Sequence, residues 1–148
     1  MIHETAIVDK KAKISDSAVI GPYSIIGPHV EIEDGSEIQS HVILQGDTTI
    51  GKNTKIFPFA SIGTSPQDLK YSGEQTKLEI GNNNIIREYV TINIGTRGGG
   101  GSTKIGNSNL IMIGAHIAHD CKIGNNTVIA NSAAIAGHAE IADDVIIG

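Results

Sequence analysis

The sequence predicts one all-β domain over residues 1–148, a solenoid of three-sided coils with two protruding loops, and three observations lead there. An aliphatic residue returns at every sixth position for most of the chain. A second series of small or β-branched residues runs four places behind it. Aromatic residues are scarce, with three Tyr, two Phe and no Trp, too few for a globular core of ordinary thickness.

The aliphatic series starts at Ile2 and steps through Val8, Ile14, Ile20, Ile26, Ile32, Ile38, Leu44, Ile50, Ile56 and Ile62. It resumes at Ile80, Ile86 and Ile92, and again from Ile105 through Ile111, Ile117, Ile123, Ile129, Ile135 and Ile141 to Ile147. The small series includes Ala6, Ala12, Ala18, Ser24, Val30, Ser36, Ala115, Cys121, Thr127 and Ala133. A period of six is neither the helical repeat nor simple strand alternation. It suits a short strand followed by a turn, with the aliphatic pointing inward and the small residue where the chain bends. Three such faces make a coil of eighteen residues, and coils stack about 4.8 Å apart through backbone hydrogen bonds. Stability then comes from layer-on-layer contact.

The repeat breaks twice, over about 63–79 (GTSPQDLKYSGEQTKLE) and about 96–104 (TRGGGGSTK). Both segments are polar and cannot enter a six-residue layer, so they are expected to loop out from the coil, where function often resides. The chain stops at Ile147-Gly148, two positions into a new repeat with no cap in view. A solenoid end needs covering, so the expectation is a longer parent protein or a partner over this end.

Composition excludes several classes. The formal net charge of −5 argues against a nucleic-acid partner. The single cysteine, Cys121, rules out an intrachain disulfide and falls in the inward small series, which makes it a core residue. The N-terminus lacks the apolar run of a secretion signal, and no stretch is long enough to span a bilayer. The expectation is a cytoplasmic protein without membrane insertion.

Repeats alone say little about function. The non-repeat text says more: QDLKYSGEQT at 67–76, IREYVTINIGT at 86–96, LIMIGAHIAHDCKIGN at 110–125 and IANSAAIAGHAEI at 129–141. These motifs, in this order, closely resemble the UDP-N-acetylglucosamine O-acyltransferase family, hexapeptide-repeat enzymes that catalyse the first acylation of lipid A synthesis. The resemblance implies a left-handed parallel β-helix, a hand that periodicity would not supply because parallel crossovers are normally right-handed. It also implies that further coils and a helical region, absent here, carry part of the nucleotide and acyl contacts and the basic surface that receives acyl carrier protein.

The family moves a 3-hydroxyacyl group from an acyl carrier protein thioester to the sugar 3-hydroxyl of UDP-N-acetylglucosamine. An alcohol needs a positioned base, and neutral imidazole suits that task near pH 7. The resemblance assigns the base to His119 and its orientation to Asp120. Coil arithmetic places position 137 one layer from 119, so Gly137 is expected beside the base, where the family uses a glycine N–H for the oxyanion. With the Gly-rich segment counted as a seven-residue insertion, Ile92 lies one coil before Ile117, which brings Asn93 toward His119. The family often has TIHRGT where this chain reads TINIGT, so Asn93 and Ile94 replace an imidazole and a guanidinium. The resemblance further implies substrate contacts by His116, His138, Gln67, Asp68 and Lys70, the last as a point charge. His3, His29 and His41 are read as surface residues.

The family's trimers have active sites between neighbouring coils, so a homotrimer is expected, with His119 of one chain facing Lys70 of the next. No cofactor or metal is implied, because the thioester is already activated. Three other readings share the fold. A zinc carbonic anhydrase would use three histidines, but the His116–His119 spacing followed by Asp120 differs from that family's pattern. The N-acyltransferase of the same pathway lacks the QDLKY insertion and begins with a separate domain. A truncated, catalytically incomplete trimeric scaffold is the non-enzymatic alternative.

Overall fold

The computed structural model describes residues 1–148 and winds them into a three-sided parallel β-helix. One sheet stacks Ile7–Val8, Ile25–Ile26, Ile43–Leu44, Ser61–Thr64, Thr91–Asn93, His116–Ile117 and Ala134–Ile135. The next face stacks Lys13–Ile14, Val30–Ile32, Asp47–Ile50, Lys77–Ile80, Ser102–Ile105, Lys122–Ile123 and Glu140–Ile141. The last carries Val19–Ile20, Glu37–Ile38, Lys55–Ile56, Ile85–Ile86, Leu110–Ile111, Val128–Ile129 and Ile146–Ile147. Every pairing is parallel, and Ile26 lies on Leu44 eighteen residues on. The register survives both insertions, with Ile62 on Ile92 and Ile92 on Ile117. No helix is long and apolar enough to cross a membrane.

The prism interior is the aliphatic series. Ile20, Ile38, Leu44, Ile50, Ile56, Ile62, Ile86, Ile92, Ile111, Ile117 and Ile129 have no exposed surface. Burying such a side chain stabilises by about 1.5–3 kcal/mol. Toward the ends the series is only partly covered, and Ile2 is 48% exposed. Buried polar members of the small series earn their place through cross-coil hydrogen bonds. Ser24 Oγ donates to Gln39 O at 2.7 Å and accepts from Val42 N–H at 3.1 Å. Asn84 Oδ1 accepts from Asn109 N–H at 2.9 Å, and Asn109 Oδ1 from Thr127 N–H at 2.8 Å.

Corners impose a second constraint. Twelve non-glycine residues adopt left-handed backbone, with φ between 52° and 68°, among them Asp120 and His138. Cross-coil hydrogen bonds hold these turns, such as His138 N–H to His119 O at 3.0 Å. They offset the steric cost of that conformation.

The two excursions are shorter than their composition predicts. Lys77–Ile80 and Ser102–Ile105 are four-residue strands paired in register, Leu78 on Thr103. Leu78 and Thr103 are fully buried because they occupy the inward position of the repeat. The loops proper are therefore 65–76 and 94–101, the latter including a single 3₁₀ turn at Arg97–Gly99.

Candidate active site

The site forms where the two loops fold back onto the coil bearing His119. His119 follows the strand His116–Ile117 at a corner, and its Nδ1 lies 2.8 Å from Asp120 Oδ2. The Asp120 side chain is completely buried, whereas 13% of the His119 side chain is exposed. Burial acts to raise the Asp120 pKa. Donation from the Thr96 hydroxyl and N–H, with His119 alongside, outweighs burial and holds the carboxyl below its ordinary value. An ionised Asp120 on Nδ1 directs Nε2 outward as the free nitrogen.

The Gly-rich loop anchors this pair. Thr96 N–H donates to Asp120 Oδ1 at 2.7 Å and its hydroxyl to Oδ2 at 2.5 Å. Asp120 N–H in turn donates to Thr103 Oγ1 at 2.9 Å. A Cβ on Gly99 would overlap the Asp120 carboxylate, so the loop can seal that carboxylate only with glycine there. Spacing could have revealed Thr96, because stepping back one enlarged coil from Asp120 ends beside it. Composition shows only a flexible insertion.

Gly137 lies where coil arithmetic expects it. A Cβ at 137 would stand 2.7 Å from both Cε1 and Nε2 of His119. The backbone N–H of Gly137 donates to no carbonyl of the chain. Proline fills the same corner position at Pro22, Pro28 and Pro58, so the coil leaves that N–H free. His138 follows, half-exposed, with its ring edge-on to His119 at a centroid distance of 4.9 Å.

The loop 65–76 closes the other side. Asp68 Oδ2 stands 4.0 Å from His119 Nε2, and a cleft of about 210 Å³ is lined by Asp68, Lys70, Glu74, Thr96, Gly98 and His138. Asp68 and Lys70 thus share a cleft with this chain's own His138. Gln67 is exposed on the same loop. Glu74, which the sequence did not flag, ties the loops together. Its carboxylate accepts from Ser72 N–H at 2.9 Å and Arg97 N–H at 3.2 Å. The N–H groups of Ser72, of Glu74 itself and of Arg97 lower its pKa to about 2.

Asn93 and His116, also expected at the site, both have hydrogen-bond partners on the neighbouring coil. Asn93 is buried, its Nδ2 donating to Thr64 Oγ1 at 2.7 Å on the preceding coil, while its Oδ1 has no partner. It makes no hydrogen bond to His119, because its strand position turns the amide toward Thr64. His116 is partly buried, with Nδ1 2.7 Å from Thr91 Oγ1. Burial lowers its pKa, opposed by Thr91 and reinforced by His119. Cys121 is fully buried, and burial raises its thiol pKa, as a core residue requires. Among the histidines read as surface, His41 lies between Tyr23 and Phe59, its ring tilted against both at centroid distances of 5.2 Å.

A family model described as bacterial transferase hexapeptide (six repeats) matches residues 102–137, and one described as GMPPB C-terminal domain matches residues 2–65. An acyl-[acyl-carrier-protein]–UDP-N-acetylglucosamine O-acyltransferase of Rickettsia bellii (strain OSU 85-389) is 56% identical over 122 residues, 82% of this chain and 43% of that protein. The crystal structure of UDP-N-acetylglucosamine O-acyltransferase (LpxA) from Moraxella catarrhalis RH4 superposes with a TM-score of 0.98 at 55% identity, over 99% of this chain and 57% of that one. LpxA from Acinetobacter baumannii gives 0.98 at 52% identity, again over 99% and 57%. The chain spans about half the length of these relatives. Sequence and superposition agree on a left-handed parallel β-helix of hexapeptide repeats, and the chain belongs to the UDP-N-acetylglucosamine O-acyltransferase family.

Proposed function

We propose that this chain carries the catalytic base of an O-acyltransferase that moves a 3-hydroxyacyl group from acyl carrier protein to the 3-hydroxyl of UDP-N-acetylglucosamine. The observation that carries the reading is the dyad, with the buried Asp120 on Nδ1 of His119 and Nε2 facing Asp68 of the cleft wall at 4.0 Å. In this reaction Nε2 takes the hydroxyl proton as the sugar oxygen attacks the thioester carbonyl. The Gly137 N–H donates to the oxygen of the resulting tetrahedral adduct, a contribution of about 3 kcal/mol for one such donor. The adduct expels the carrier thiolate, and the imidazolium returns the proton to sulfur. Asp120 remains ionised throughout and stabilises the transient imidazolium. Asp68, Lys70 and His138 line the cleft as contacts for the sugar nucleotide. No metal or cofactor enters this scheme.

Self-association is part of the proposal. One outer face pairs charges across coils, Lys13 with Glu31, Lys104 with Glu79 and Lys122 with Glu140, and suits solvent. The face beginning with Ile7, Ile25 and Ile43 exposes aliphatic side chains instead. At the corner beside it Tyr23, His41, Phe59 and Tyr89 form an exposed ring stack. We infer that this apolar corner packs copies of the chain into a homotrimer. Light scattering tests it: Phe59→Glu should lower the mass toward that of a monomer. A wild-type chain that is already monomeric would refute it.

The catalytic test is acyl transfer to UDP-N-acetylglucosamine by the full-length protein. His119→Ala should lose about 10²–10⁴-fold in rate, the usual worth of a general base. A variant with wild-type turnover would refute the assignment. The 148-residue chain alone should show little or no turnover.

A further inference from the structure

We propose that the same cleft is an inhibitory site for a borderline transition cation, Zn²⁺, which binds the His119 nitrogen that must take the proton. The inhibitory consequence rests on the base assigned above, whereas the site itself rests on geometry. His119 Nε2 and Asp68 Oδ2 face each other at 4.0 Å, beyond hydrogen-bond reach. His138 Nε2 lies 3.9 Å from Asp120 Oδ2, and its ring is edge-on to that of His119 at a centroid distance of 4.9 Å. One ligand atom each from His119, Asp120 and His138 fall within 4.8 Å of one another. Zinc bonds to imidazole nitrogen and carboxylate oxygen are about 2.0–2.2 Å, so two tetrahedral ligands lie about 3.3–3.5 Å apart. The Asp68–His119 separation exceeds this by about half an ångström, and the His119–Asp120–His138 group by up to about 1.3 Å. Asp68 on its loop and the half-exposed His138 can close that distance by side-chain rotation.

Three features favour a cation here. Asp120 holds Nδ1 of His119 at 2.8 Å, the carboxylate–histidine arrangement that orients imidazoles in metal sites. The cleft lining carries the carboxylates of Asp68 and Glu74 against the single ammonium of Lys70, and Asp120 lies beneath. His138, 56% exposed, leaves an entry path and open positions for water. The imidazole–carboxylate donor set selects Zn²⁺ over Mg²⁺, which prefers oxygen ligands. The ion has no role in turnover, since it occupies the position that the acceptor hydroxyl needs. His116 stands outside the site, tied to Thr91.

Isothermal titration of this chain with zinc chloride, with magnesium chloride as control, tests the site. One zinc per chain and no magnesium binding are expected. His119→Ala should abolish binding, and His138→Ala should weaken it by about tenfold or more. Asp120→Asn should weaken it by about 10–100-fold through the second shell, and His116→Gln should leave it unchanged. Co²⁺ in place of zinc should give visible absorption of a four-coordinate site, which zinc then bleaches; this readout needs only the wild-type chain. Absence of binding at millimolar metal, or unchanged affinity in both His119→Ala and His138→Ala, would overturn the proposal. Inhibition of the full-length protein by zinc, reversed by chelator, is the companion measurement. Zinc binding without any acyl transfer would refute the functional reading alone. Acyl transfer without zinc binding would refute the site alone.

Discussion

Replacing Gly137 by alanine isolates the contact on which the proposed chemistry depends. The added Cβ would fall 2.7 Å from Cε1 and Nε2 of His119, where ordinary contact begins at 3.4 Å, so the ring must retreat by about 0.7 Å. It cannot do so freely, because Nδ1 is held at 2.8 Å by Asp120, whose carboxylate is itself fastened by Thr96. Misplacing a catalytic group by about 1 Å costs on the order of 10²-fold in rate, equivalent to about 2.7 kcal/mol. Position 137 is not in the left-handed region, so alanine brings no backbone strain. Crowding against a ring that is held in place opposes the gain from reduced chain entropy in the unfolded state, so stability should be unchanged or lower. The backbone N–H survives the substitution, so the variant tests crowding of the ring rather than oxyanion donation. The assays are turnover in the full-length protein, chemical denaturation of this chain, and a crystal structure of the variant. A Gly137→Ala protein with wild-type turnover and an unmoved imidazole would refute the reasoning.

Other consequences are open to measurement. Thr96→Val keeps the N–H donor but removes the hydroxyl from the buried Asp120 carboxylate, and should cost about 1–3 kcal/mol in denaturant titration, with Thr96→Ser restoring most of it. Ile62 and Ile2 hold the same repeat position, yet Ile62 is fully buried and Ile2 is 48% exposed. Ile62→Ala should therefore cost about 2–5 kcal/mol and Ile2→Ala much less, by urea unfolding. Burial holds the His116 pKa below its ordinary 6.5 despite the Thr91 hydrogen bond, with His119 adding to the shift. The unfolded chain then binds the proton more readily. The His116 contribution should be complete above pH 6.5 and lost as pH falls below it, so His116→Gln should flatten the melting temperature's dependence on pH there.

The sequence alone determined the coil, its register and the neighbours that follow from register. Ile92 meets Ile117 across the Gly-rich insertion, and Gly137 meets His119, because each layer repeats the same backbone hydrogen bonds and an inward aliphatic admits one phase. Leu78 and Thr103 obey the same phase and extended the strands further than polarity suggested. Only the tertiary structure decided the paths of the loops. Thr96 grips Asp120, Glu74 joins its loop to Arg97, Asp68 arrives opposite His119, and Asn93 turns to Thr64. These outcomes come from side-chain contacts between positions 23 to 51 residues apart that recur in no other layer. A periodic pattern encodes contacts that recur in every layer. Contacts made once, by side chains reaching across an insertion, depend on where the folded backbone brings donor and acceptor together.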